Sequence, residues 1–91
     1  MTEGPYRLAV AATAERSLAR LPEAVAAAIV ELTVGPLFDS PRRVGHPLHR
    51  ELADLWSARR GSYRIVYEID DAADEVRVLR IDHRADVYRA R

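Results

Sequence analysis

Tyr63, Ile65, Tyr67 and Ile69 are apolar or aromatic, and the residues interleaved with them include Ser62, Arg64 and Glu68. A two-residue period over Ser62–Ile69 is a strand with one face in a core and the other turned outward. Arg60-Gly61 supplies a tight turn back to an earlier run, Leu52–Arg59, in which Trp56 and Ala58 continue the apolar set. In a simple hairpin register Leu55, Ser57 and Arg59 share the face of Arg64. A second turn, Asp70–Asp74, leads into a Val-, Leu- and Ile-rich run over Glu75–Asp82. Three strands in a meander therefore dominate the second half of the chain, and the first half must cover one side of them.

The first half has the parts for this. Tyr6 to Ala12 alternates like a strand, and Thr13 follows as a helix N-cap with Glu15 in the first turn, where a carboxylate suits the dipole. Ala14, Leu18 and Leu21 give a short helix one apolar stripe. Pro22 stops it and opens a second helix, on which Val25, Ala28, Ile29 and Leu32 keep the helical period until Gly35-Pro36 breaks it. Residues 39–51, punctuated by Pro41, Gly45 and Pro47, read as an ordered surface loop. The expected fold is α+β in the order β-α-α-β-β-β. A two-helix hairpin packs on one face of a small, mainly antiparallel sheet, within a single domain over residues 1–91.

Composition limits the function classes. The absence of cysteine excludes disulfides and thiolate metal sites. No apolar run approaches the ~20 residues of a membrane span, and no signal peptide is recognisable, so a cytoplasmic protein with no membrane partner is expected. Net charge is zero, but residues 42–91 hold eleven Arg and nine acids, four of which crowd into Asp70, Asp71, Asp74 and Glu75. The rest of that surface is locally basic, enough for a phosphate site. Every basic residue is Arg. Guanidinium suits phosphate oxygens but cannot shuttle protons near neutral pH, so acid–base work must fall to His, Tyr, Asp or Glu.

The chemistry-bearing residues gather late in the chain. Arg64 and Arg59 share the predicted open face, and the exit of the last strand is expected to bring His83 and Arg84 to them as an anion site. Imidazole exchanges protons near neutral pH, which makes His83 a proton carrier. Tyr88 can donate or accept a hydrogen bond and could act as a base beside arginines. Arg42, Arg43, Arg60 and Arg89 are candidate phosphate contacts. His46 and His49 lack a third ligand at suitable spacing, so no metal site is expected, and no Gly-rich phosphate loop or nucleophile elbow is present.

The pieces Gly61-Ser62-Tyr63-Arg64-Ile65-Val66-Tyr67-Glu68-Ile69 and His83-Arg84-Ala85-Asp86-Val87-Tyr88-Arg89, led by Gly45-His46-Pro47-Leu48 and Leu55-Trp56-Ser57-Ala58-Arg59, resemble the RelE branch of the RelE/ParE toxin superfamily. The resemblance spans essentially the whole chain. It implies a type II toxin held by a RelB-like antitoxin, with operator DNA reached only through that complex. It further implies cleavage of mRNA in the ribosomal A site without a cofactor. There the 2′-hydroxyl attacks the adjacent phosphate to leave a 2′,3′-cyclic phosphate. On this pattern Arg64 stabilises the transition state, Arg84 takes phosphate charge, and His83 or Tyr88 transfers protons. Some relatives carry two lysines where this chain has Leu55 and Ser57, so a lysine-based acid–base scheme does not transfer. Two alternatives within reach of the same fold are a ParE-like gyrase-inhibiting binding protein and a catalytically weak, antitoxin-binding co-repressor.

Overall fold

A computed structural model of the chain describes residues 6–49 and 52–83, the side chains of residues 49 and 52–54 excepted. Strand β1 (Arg7–Val10) is followed by helices α1 (Ala12–Ala19) and α2 (Glu23–Leu32), a turn of π-helix (Thr33–Leu37) and a one-turn helix α3 (Pro41–Val44). Strands β2 (His46–His49), β3 (Leu52–Arg60), β4 (Tyr63–Asp70) and β5 (Glu75–His83) complete the order. They form one sheet, β1-β5-β4-β3-β2, antiparallel except for the β1–β5 pair. The expected α+β architecture is present, with one strand more than the sequence suggested.

That extra strand corrects the surface loop expected over residues 39–51. Pro41 opens α3, and His46–His49 pairs antiparallel with β3. Pro47 argues against a central strand because it lacks an N–H, but β2 lies at the sheet edge, where one side of the ladder is unpaired. Packing against β3 holds the segment close. A Cβ at Gly45 would fall on the Tyr67 hydroxyl and within 2.7 Å of the Ser57 carbonyl oxygen. Only glycine admits that approach. The buried Tyr67 hydroxyl donates to the Pro41 carbonyl at 2.6 Å, tying α3 to the sheet.

Two helix boundaries also differ from expectation. Helix α2 does not end at Gly35-Pro36; the chain widens into the π turn with Pro36 inside it, and the turn's i→i+5 spacing accommodates a residue with no N–H. Leu37 is fully buried there and anchors the turn. Thr13 is not the N-cap of α1, which begins at Ala12. Its hydroxyl donates instead to the Leu79 carbonyl of β5 at 2.6 Å.

The core lies between the sheet and the helices. Ile65, Tyr67 and Ile69 of β4, Val76, Val78 and Ile81 of β5, and Ala58 of β3 meet Ala14, Ile29 and Leu37. These are the expected inward positions of β4 and β3. Gly61 has φ +61°, the first position of the two-residue Gly61-Ser62 turn that joins β3 to β4.

Candidate functional site on the open face of the sheet

Cross-strand register sorts every side chain by face, because directly opposed residues point the same way. Arg59 of β3 stands opposite Arg64 of β4, and Arg64 opposite Asp82 of β5. One row along, His46, Ser57, Val66 and Arg80 face outward together. Leu55 and Glu68 form the next row, with Arg77 beside Glu68. The open face is thus an arginine-rich surface with Val66 as a floor: Val66 is buried, yet stands outside the helix-side core cluster.

The charges on this face are unevenly paired. Asp82, in register with Arg64, gives its carboxylate to Arg80 Nε at 2.8 Å. Glu68 lies 4.0 Å from Arg77, which also holds Glu75 at 2.8 Å. Among the described residues, no carboxylate pairs with Arg59 or Arg64. Two guanidinium groups set opposite one another repel, and among the described residues no ion pair with either offsets that repulsion. An anion between them would relieve it, and a planar fork on each side suits phosphate oxygens.

His83 does not share that face. It stands opposite Tyr63 on the helix side, the two rings in an edge-to-face contact with centroids 4.8 Å apart. The cause is a β-bulge. Val66 pairs with Arg80 while Tyr67 pairs with Val78, so Leu79 is an extra residue in β5. One inserted residue reverses the alternation beyond it. Counted straight from Val76 and Val78, position 83 would face outward; after the bulge it faces inward. Thr13 binds the bulge carbonyl, so helix α1 braces the feature that turns His83 away.

Other expected contacts also part company. Arg60 stands opposite Tyr63 on the helix side and lines a groove of about 390 Å³ with Ala24, Val25 and Ala28 of α2. Arg42 is a structural residue: its guanidinium donates to the Tyr6 hydroxyl at 2.9 Å and to Asp71 at 2.6 Å. The Tyr6 hydrogen bond, then that to Asp71, strengthens the hold of Arg42 on its proton, and the hydrogen bonds that Asp71 accepts from the Tyr6 hydroxyl and then from Arg42 lower its carboxyl below the ordinary value. Asp71 lies seven residues along the chain from Arg64, about 20 Å of extended strand. Arg43 is exposed on α3. Arg84, Tyr88 and Arg89 lie outside the described residues. Of the expected cluster, Arg59 and Arg64 come together.

His46 is the residue that sequence reasoning passed over. Set aside there as half of an improbable metal pair, it is exposed on the open face, one row from the arginine pair. The only sequence signal for it was alternation around Pro47, which the proline obscured.

A small sheet flanked by two helices on one face, with an arginine-lined opposite face, is the class to which type II toxins belong, and comparison with known proteins agrees. The family model described as ParE toxin of type II toxin-antitoxin system, parDE, matches residues 7–88. The chain belongs to this toxin family, and within it is of the RelE type. Toxin RelG of Mycobacterium tuberculosis is 53% identical over 85 residues, covering 93% of this chain and 98% of that protein. Toxin RelE of the same organism is 52% identical over 85 residues, covering 93% and 88% respectively. The crystal structure of the toxin-antitoxin complex RelBE2 from M. tuberculosis superposes with a TM-score of 0.80 at 51% identity, over 88% of this chain and 99% of that one. The isolated E. coli RelE toxin matches in fold, with a TM-score of 0.74 at 24% identity over 92% of each chain.

Proposed function

We propose that this toxin is a metal-independent endoribonuclease that cuts messenger RNA in the ribosomal A site. The substrate's own 2′-hydroxyl attacks the neighbouring phosphorus, the bond to the 5′-oxygen breaks, and a 2′,3′-cyclic phosphate remains. The observation that carries this reading is the opposed Arg59–Arg64 pair, which has no carboxylate partner among the described residues. Negative charge grows on the phosphoryl oxygens as the phosphorane forms. Guanidinium groups already fixed at the site stabilise that charge as it forms, without having to reorganise. Arg64, half-buried near the Gly61 end of the central strand β4, is assigned the transition-state charge, and Arg59 the approach of the phosphate. Arg84, Tyr88 and Arg89 complete the site in this reading.

The partners follow from the same surface. The solved relatives include RelB–RelE complexes, and a RelB-like antitoxin is the proposed partner here, with operator DNA contacted only through that complex. Among the described residues, no helix is long and apolar enough to cross a membrane. The test is primer extension in a translating extract. Translation-dependent cuts that fall at least ~100-fold in Arg64→Ala support the proposal. Intact messenger together with gyrase-dependent DNA breaks would instead mark a ParE-like gyrase inhibitor.

A further inference from the structure

The open face concentrates positive charge, yet in-line attack also needs a group that accepts the 2′-proton. Guanidinium has no lone pair to offer. The charged side chains that the described sheet turns to this face are Arg7 from β1, Arg59 from β3, Arg64, Glu68 and Asp70 from β4, and Glu75, Arg77, Arg80 and Asp82 from β5. Of the four carboxylates, Asp82 is engaged by Arg80, Glu68 and Glu75 lie with Arg77, and Asp70 sits at the far turn, accepting the Ala73 N–H. Beside the arginine pair, the titratable acceptor that remains among the described residues is the imidazole of His46. It is exposed on β2, directly opposite Ser57, and makes no hydrogen bond within the described residues. Ser57 and Arg59 are alternate residues of β3, so His46 and Arg59 are diagonal neighbours, about 7–8 Å apart between backbones and within reach of long side chains. A phosphodiester held at Arg59 and Arg64 therefore has this imidazole beside it.

We infer that His46 is the general base of the proposed cleavage. Resting on that reading, the step is as follows. His46 accepts the 2′-hydroxyl proton as the O2′–P bond forms. The P–O5′ bond breaks, and the departing 5′-oxygen takes its proton from water. The imidazolium then returns its proton to solvent, and no oxidant or metal enters the balance. His83, turned to the helix side by the bulge, is replaced in this role.

The experiment is single-turnover cleavage by the full-length toxin on ribosomes programmed with a defined messenger, followed from pH 5 to 9. His46→Gln is expected to slow the cut by about 10²–10⁴-fold and to abolish the rise of rate with pH, while ribosome affinity stays within twofold. A messenger with sulfur in place of the scissile 5′-oxygen needs no acid at the leaving group. The His46→Gln defect should persist on it. Should the defect vanish on that messenger, His46 is an acid and the inference falls. It also falls if His46→Gln keeps the wild-type pH profile, or if the rise is lost in His83→Gln and kept in His46→Gln. A wild-type toxin that leaves all messengers intact would overturn the nuclease reading itself, an outcome distinct from these.

Discussion

Arg59 and Arg64 are a cross-strand pair whose proposed role in cleavage runs against stability. Like charges directly opposed on a sheet cost about 0.2–1 kcal/mol. Arg64→Ala should therefore melt no lower than wild type while losing cleavage, a combination that a merely structural arginine would not give; differential scanning calorimetry beside the cleavage assay measures both. Gly45 and Tyr67 show the opposite, residues whose whole value is structural. Gly45→Ala forces a methyl group onto the Tyr67 hydroxyl and the Ser57 carbonyl, and should cost roughly 2–3 kcal/mol in a urea melt. Burial pushes the Tyr67 phenol up to about 12, against the smaller opposing effect of the Gly45 amide hydrogen-bonded to it. The unfolded chain ionises this group from about pH 10, whereas the folded chain holds the proton longer. Stability should accordingly fall between pH 10 and 12, by up to about 1.4 kcal/mol per pH unit. Tyr67→Phe should flatten that alkaline slope.

At the level of elements, β5 carries the decisive irregularity. Its existence as a Val-, Leu- and Ile-rich strand was legible, yet the extra residue at Leu79, which turns Ile81 inward, was not. A bulge is a two-against-one mismatch between strands, and neither strand's own pattern reveals where the mismatch falls. Thr13 illustrates the same limit. It has the chemistry of an N-cap, but the Leu79 carbonyl is a better partner once α1 docks on β5. Thr13→Val removes this bond and should lower stability by about 1 kcal/mol, read from the denaturation midpoint. A softened bulge should also shift the ring resonances of Tyr63 and His83, whose contact depends on the register it sets. Strand β2 was hidden by Pro47, because edge position, not composition, is what permits proline there.

Across the whole molecule, zero net charge conceals a polar arrangement. The Gly61 end of the β3–β4 hairpin carries Arg59, Arg60 and Arg64, while the far turn carries Asp70, Asp71, Asp74 and Glu75. Such a dipole orients approach to a polyanion, so the proposed association with ribosomes should weaken as salt rises, and less steeply in Arg59→Gln. At the acidic end, Arg42, Tyr6 and Asp71 tie α3, the chain before β1 and the β4–β5 turn together. The Asp71 carboxyl is lowered in the folded state, so its contribution is complete above the ordinary carboxylate range and disappears as pH falls through the folded value. Melting temperature should drop below about pH 4, and Asp71→Asn should blunt that drop.

Periodicity and turn residues alone determined the α+β class, the inward faces of β3 and β4, and the shared outward face of Arg59 and Arg64. These are properties of single strands and one tight hairpin, where side-chain direction follows from counting. The tertiary structure decided that His83 turns to the helices, that Arg42 is engaged in a structural tie, and that His46 joins the arginine face. Each of those depends on register between segments distant in the chain, and register is set by packing, bulges and edge pairing that no local pattern contains.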